Sequence, residues 1–252
     1  MSKIVVTAAN SPYFMTLLTL ISSIHLHSYE LVNKIIVYNL GLHEEEITRL
    51  KNIKKVSVVE FPSNLQQTHQ KFLEPKQHVY KLHCVKHAEA YGASVLWLDA
   101  GVMALKPLDT IFDVIEKEDI FLVGDTHLNK NFTHKECIKI MDASEQELSD
   151  TQLSSGILGY KVGGSFQTFI NEAYNYSLVE GCVDGDESNH RHDQSVYSIL
   201  ASRYNAKKQD IDIYGYWTDS RRNLNTAREN NAVIFVHRNG HWDTKDIQYE
   251  NN

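Results

Sequence analysis

Residues 94–101 read Ser-Val-Leu-Trp-Leu-Asp-Ala-Gly, an apolar, β-prone run that stops at one carboxylate, Asp99, before two small residues. A run this apolar, without polar alternation, suits a strand buried on both faces, and such strands belong to parallel sheets covered by helices. In open α/β sheets, ligands bind beyond the carboxyl ends of the strands. Asp99 therefore stands where an α/β enzyme carries a functional acid. A strand-ending Asp that only caps the next turn is the plainer role for the same residue.

The rest of the chain alternates in type. Lys3 to Thr7 reads as a buried strand, and Ser11 to His27 carries apolar residues at helical spacing, with Pro12 tolerable in a first turn. Lys34 to Asn39 is strand-like, Glu44 to Asn52 helical with acids at its start, and Lys55 to Phe61 strand-like. A helix from about Gln77 to Tyr91 leads into the Val95 strand. This order predicts an α/β fold with a mostly parallel central sheet and helices on both faces. Further on, Asp119 to Val123 predicts a strand ending near Asp125, and Thr133 to Met141 a short helix. Gln152 to Tyr160 predicts a strand whose Gly156 marks a close backbone approach or a bulge. Phe166 to Tyr176 and Asp193 to Tyr204 predict helices, and Ala232 to Val236 a last buried strand ending on His237.

A chain of 252 residues can bury a full core, and with only four prolines and twelve glycines no stretch has a linker's composition. One domain is expected. A net charge of −7 with scattered lysines and arginines argues against a nucleic-acid partner. Cys84, Cys137 and Cys182 are far apart in sequence and form no CxxC pair, which fits a reducing compartment better than a disulfide framework. The apolar stretch Phe14 to Ile24 is too short, and too interrupted by Thr16, Thr19, Ser22 and Ser23, to span a membrane. A soluble, cytoplasmic protein with no transmembrane segment is expected.

Five short motifs occur in one order: Thr7-Ala-Ala-Asn10, Trp97-Leu-Asp-Ala-Gly101, Ser154-Ser-Gly-Ile-Leu-Gly159, His192-Asp-Gln-Ser195 and His237-Arg-Asn-Gly-His-Trp242. Together they resemble the GT-A-fold glycosyltransferases, particularly the family 8-like and related uncharacterised branches, over roughly Lys3 to Trp242. The resemblance implies a single GT-A-like, Rossmann-like domain, with a nucleotide-binding half over about 1–125 and an acceptor-side half over about 126–245. It implies transfer of a sugar from a nucleotide-sugar donor, a UDP-sugar above all, to a hydroxyl of a glycan or related acceptor.

Carried onto this sequence, the resemblance has Thr7, Ala8 and Asn10 line the nucleoside and Lys81 face the donor phosphates. Asp99 matches the first acid of a DxD motif, His237 a late metal-binding histidine, and Asp193 and Gln194 lie by the acceptor and the reacting sugar. The implied cofactor is Mn2+ or Mg2+. Gly101 stands in place of the second DxD acid, so a hard cation loses one oxygen ligand. Two arrangements stay open: a cation on Asp99, His237 and phosphate oxygens, or a metal-free site in which Lys81 and Arg238 take the charge.

Chemistry alone asks for a carboxylate or amide near the anomeric carbon of an oxocarbenium-like transition state, and for a base if the reaction inverts. Asp193 is the candidate, with Asp125 as the alternative acid; a helix N-cap is the plainer role for Asp193. His83 and His87, four apart on a helix, have metal-ligand spacing but fit packing better, whereas His190, His192, His237 and His241 fall at loops and strand ends. Tyr214, Tyr216 and Trp217 suit either a sugar-stacking wall or ordinary packing. The competing functions are a degenerate GT-A-like protein that binds a nucleotide sugar or glycan without turnover, and a His-rich metal-dependent hydrolase.

Overall fold

The computed structural model describes residues 1–61, 78–185, 188–217, 223–238 and 240–250. β1 (Lys3–Ala9) is buried from Ile4 onward and leads through a 3-10 turn into α1 (Phe14–Ser28). β2 (Lys34–Asn39), α2 (Glu44–Lys51) and β3 (Val56–Val59) follow. α3 (Val79–His87) delivers the chain to β4 (Ser94–Leu98), every residue of which is buried. The expected start of α3 at Gln77 lies outside the described residues. β5 (Val102–Ala104), α4 (Asp109–Glu118), β6 (Ile120–Leu128), α5 (Lys135–Ile140), α6 (Glu145–Ser149) and β7 (Thr151–Lys161) come next. The chain continues with α7 (Gln167–Ser177), α8 (Asp193–Arg203), β8 (Lys208–Gln209), α9 (Ile211–Tyr214), β9 (Tyr216–Trp217), α10 (Leu224–Glu229) and β10 (Ile234–Val236).

Seven strands form one sheet in the order β3-β2-β1-β4-β7-β6-β8. Its pairings are parallel except those of β7, which runs against both β4 and β6. Strand order reverses at β1, which has β2 on one side and β4 on the other; this is the switch point where an open α/β sheet leaves a crevice at its carboxyl edge. Successive residues alternate between two cores, as a strand's period of two requires. Ile4, Val6, Ala8, Val95 and Trp97 pack with Phe169, Tyr197 and Leu200 of α7 and α8, while Val5, Ala9, Leu96 and Leu98 pack with Leu17 and Ile21 of α1 and Phe112 and Ile115 of α4. The expected α/β architecture with a mostly parallel sheet and helices on both faces is the one found.

The hydroxyls that break up the apolar stretch of α1 dock other parts of the chain. Ser23 Oγ accepts from Ala104 N at 3.0 Å and Ser28 Oγ from Leu108 N at 2.9 Å. Thr19 Oγ1, Ser22 Oγ and His25 Nδ1 accept from the backbone N–H groups of Asp243, Asp246 and Gln248 at 3.0, 3.1 and 2.9 Å, strapping the last described segment along the helix. Among the described residues no helix is long and apolar enough to cross a membrane.

One expectation is corrected, and two features lie beyond what the sequence pattern displays. β6 runs on to Leu128, so Asp125 lies within it rather than at its end. Cys137 and Cys182, distant in sequence, are buried with their sulfurs 3.9 Å apart, both thiols free. A second sheet, β5-β10-β9, was not anticipated; it pairs Val236 with Val102 and so carries the residue after β10, His237, to the turn after β4.

His25 Nδ1 accepts from Gln248 N while Nε2 meets Lys54 O at 3.1 Å, so the ring is neutral with its proton on Nε2. Burial pushes His25, His83, His190 and His237 from 6.5 down to about 4. The unfolded chain takes up these protons near pH 6.5 and the folded one only near pH 4, so stability is lost as pH falls through that window. Each histidine contributes a slope of roughly 1.4 kcal/mol per pH unit. Urea denaturation at pH values from 7 to 4 is expected to give a falling midpoint, with a shallower fall for His25→Asn. A midpoint that holds steady across the window contradicts this assignment.

Candidate active site

The carboxyl edge of the sheet between β1 and β4 gathers three charged side chains. Lys81, in the first turn of α3, is 3% exposed. Its ammonium lies 3.1 Å from Asp99 Oδ1, just past β4, and 3.0 Å from Asp193 Oδ2, the first residue of α8. Ser155 of β7 adds its carbonyl oxygen at 3.5 Å and its hydroxyl at 3.4 Å. A cation in a helix's first turn is disfavoured by the helix dipole and by desolvation, and two carboxylates offset both. Burial by itself lowers the Lys81 pKa, but Asp193 and then Asp99 raise it above the ordinary lysine value, so the ammonium stays charged. Burial works against ionised Asp193 as well; Lys81, then His78, and a Ser155 hydrogen bond outweigh it and hold the carboxyl below its ordinary value.

Asp99 is fixed from three sides. The Trp97 indole N–H donates to Oδ1 at 2.7 Å, a contact that strand alternation makes available because residues two apart share a face. Asp99 N donates to Gly156 O at 2.9 Å. A Cβ on Gly156 would stand 3.1 Å from Asp99 Oδ2, so the glycine in β7 is the close backbone approach expected of it.

Backbone strain surrounds the cluster. His78, the N-cap of α3, has φ 53°, and His192, the N-cap of α8, has φ 49° and ψ −117°. Their rings lie 5.7 Å apart, and His192 Nδ1 is 2.8 Å from Val183 O. Non-glycine residues in such conformations cost roughly 1–3 kcal/mol each and persist where packing overdetermines them. His192, not Asp193, is the N-cap, so capping does not account for Asp193; its side chain is spent on Lys81.

The other expected residues are placed as follows. Thr7 and Ala8 lie within β1, which extends to Ala9, and are 0% and 7% exposed; only Asn10 lies in the loop beyond the strand. Gln194 donates to Gln152 Oε1 at 2.9 Å. Asp125 is paired with Arg191 at 3.0 Å and His127 at 2.6 Å, away from the Lys81 cluster's ion pairs. The His83 and His87 rings stack at 5.4 Å, with His87 Nδ1 2.8 Å from the Tyr38 hydroxyl, so the two serve packing. Tyr214 packs edge-on to Phe121, Tyr216 is buried, and Trp217 is 38% exposed, so the three do not make one wall.

Gly101 is covered by the turn after β10. Its carbonyl accepts from His237 N at 3.0 Å and Arg238 N at 2.9 Å, and a Cβ on it would stand 2.8 Å from Arg238 O. His237 is 2% exposed, stacked on Phe235, with the His241 ring 6.1 Å away. Among the described residues no group of three His, Cys, Asp or Glu side chains is placed to hold a metal ion. Sequence reasoning missed His78, Ser155's contact with Lys81, and the Trp97 indole; only the last was readable, from its two-residue spacing to Asp99.

No family model and no curated protein matches the chain. Among solved structures it is similar to WbbM, a bifunctional glycosyltransferase in its apo form, with a TM-score of 0.64 and 13% identity over 98% of this chain and 48% of that one. It is also similar to the galactosyltransferase LgtC in complex with donor and acceptor sugar analogues, with a TM-score of 0.55 and 16% identity over 93% and 86% of the two chains. The fold is GT-A. A third GT-A neighbour, core-mannan synthase A from Aspergillus fumigatus in its Mn/GDP form, has a TM-score of 0.52 and 10% identity over 84% and 73%. The chain spans about half the length of WbbM. Identities this low carry the GT-A fold and not a branch within it.

Leaving the buried Asp193 carboxylate, and beside it the partly exposed Asp99, without their cation is expected to be costly. Lys81→Met should lower unfolding free energy by roughly 3–5 kcal/mol, the range for breaking a buried pair. The loss should be larger at pH 8 than at pH 5, where the orphaned carboxyls can take up protons. Adding Asp193→Asn should recover part of it, as read by a double-mutant cycle in urea. Strict additivity of the two substitutions contradicts the pairing.

Proposed function

We propose that this chain transfers a sugar from a nucleotide-sugar donor, a UDP-sugar in the first instance, to a hydroxyl of a glycan or related acceptor. The observation that carries this reading is the buried Lys81 ammonium joining Asp99 and Asp193 at the switch point of a GT-A sheet. We further propose one domain, donor-binding over about 1–125 and acceptor-binding over about 126–245, placed in the cytoplasm and akin to the family 8-like branch. Asn10 and the end of β1 would meet the nucleoside, with Asp99 directed at the donor and Asp193 and Gln194 beside the reacting sugar.

In the reaction, the bond between the anomeric carbon and the diphosphate oxygen breaks and one to the acceptor oxygen forms. An oxocarbenium-like centre needs a fixed negative charge close by. Asp193 suits that need better than it suits proton abstraction, because its partners hold its pKa below the ordinary carboxylate value. The acceptor proton is then best lost to the departing diphosphate. Lys81 acts by holding both carboxylates in register.

Calorimetric titration with UDP and GDP tests the donor assignment, and release of UDP from UDP-sugars tests turnover. The expected result is micromolar binding of one nucleotide, together with a turnover that Asp99→Asn lowers at least a hundredfold while moving the melting temperature by only a few degrees. Binding of neither nucleotide contradicts the proposal. Binding without turnover of any donor supports the second reading, a sugar-nucleotide binder, which the glycine at position 101 favours.

A further inference from the structure

The GT-A fold implies a divalent cation at the donor diphosphate, and the residues here do not fit one. The position of a second acid is Gly101, and a side chain there would begin 2.8 Å from Arg238 O and 3.0 Å from Arg238 Cα. Under 3 Å, backbone has to move, and this backbone is held by two hydrogen bonds to Gly101 O. The remaining acid, Asp99, already receives the Trp97 indole N–H at 2.7 Å and faces the Lys81 ammonium at 3.1 Å. A second cation brought to that carboxylate meets Lys81's charge at close range. One such acid and one imidazole fall well short of the oxygen-rich shell that Mn2+ or Mg2+ takes.

The turn that excludes an acid supplies a cation. Arg238 follows His237 directly, holds φ 57°, and leaves its side chain exposed with no ion pair or hydrogen bond among the described residues. Elsewhere in the site charge is balanced against the donor: Lys81 contributes +1 and Asp99 and Asp193 each −1, a sum of −1. A diphosphate entering there needs positive charge from another source. Guanidinium is the side chain whose paired N–H groups match phosphate oxygens, and it stays protonated at any working pH.

Resting on the glycosyltransferase reading, we propose that Arg238 takes the place of the divalent cation, so that the donor's diphosphate is bound and its leaving charge neutralised without metal.

The test is calorimetric titration of the whole chain with UDP, GDP and UMP in excess EDTA and again in excess Mn2+. The expected result is a nucleoside diphosphate affinity that changes less than threefold between the two conditions. Arg238→Asn, chosen because asparagine tolerates a left-handed backbone, should weaken diphosphate binding in EDTA about tenfold to a hundredfold and UMP binding far less. Arg238→Lys should recover part of the loss. Diphosphate binding that appears only with Mn2+ overturns the inference and leaves the glycosyltransferase reading standing. Binding in neither condition overturns both. An unchanged affinity in Arg238→Asn overturns the role of Arg238. Since the EDTA and Mn2+ comparison uses the unaltered chain, it decides the metal question even if a variant fails to fold.

Discussion

A lysine buried to 3% exposure between two carboxylates is the contact on which this structure turns. An ammonium cannot stay in an interior uncompensated, so α3, the end of β4 and the start of α8 are held to one another by electrostatic need as well as by apolar packing. β7 joins them through Ser155, and its antiparallel course lets its backbone meet Asp99 at Gly156. The cluster therefore links the first half of the chain to the second. It also leaves a small net negative charge, tightly positioned, at the crevice where the sheet's strand order reverses.

Around this cluster the chain accepts strain. His78 and His192 adopt backbone conformations that favour glycine, each directly before the helix that presents a charged residue, and Arg238 does so beside Gly101. The short sheet of β5, β9 and β10 sets the last of these turns against β4's loop. The strap along α1 then ties the segment that follows back to the body of the fold through Thr19, Ser22 and His25. Rigid support on both sides of a polar crevice is what a site needs if its charges are to be in place before a ligand arrives.

Much of this was legible in the sequence because it is written in short-range pattern. The apolar run before Asp99, the strand over Lys34 to Asn39 and the helix opening at Asp193 are found where periodicity placed them. α4 was readable and overlooked: Ile111, Phe112 and Ile115 form a buried face of helical spacing. β8, β9 and β10 have only two or three residues, too few to display a period, and the small sheet stayed hidden for that reason. The direction of β7 was not readable, since a strand buried among others looks the same either way. Nor was the closeness of Cys137 to Cys182, or of Lys81 to Asp193, because side chains far apart in sequence meet only through the tertiary fold. Order of motifs pointed to Asp193, and in the structure it is a buried acid that Lys81 keeps charged.

The most direct test of the account is the location of a donor in a crystal of the chain grown with a nucleoside diphosphate sugar. The account predicts the diphosphate at the carboxyl ends of β1 and β4, its oxygens on the Arg238 and His237 turn, with the sugar's anomeric carbon facing Asp193. A donor seated elsewhere would contradict it, for example in the cleft of about 170 Å³ over α1 lined by His27, Arg228 and Lys245.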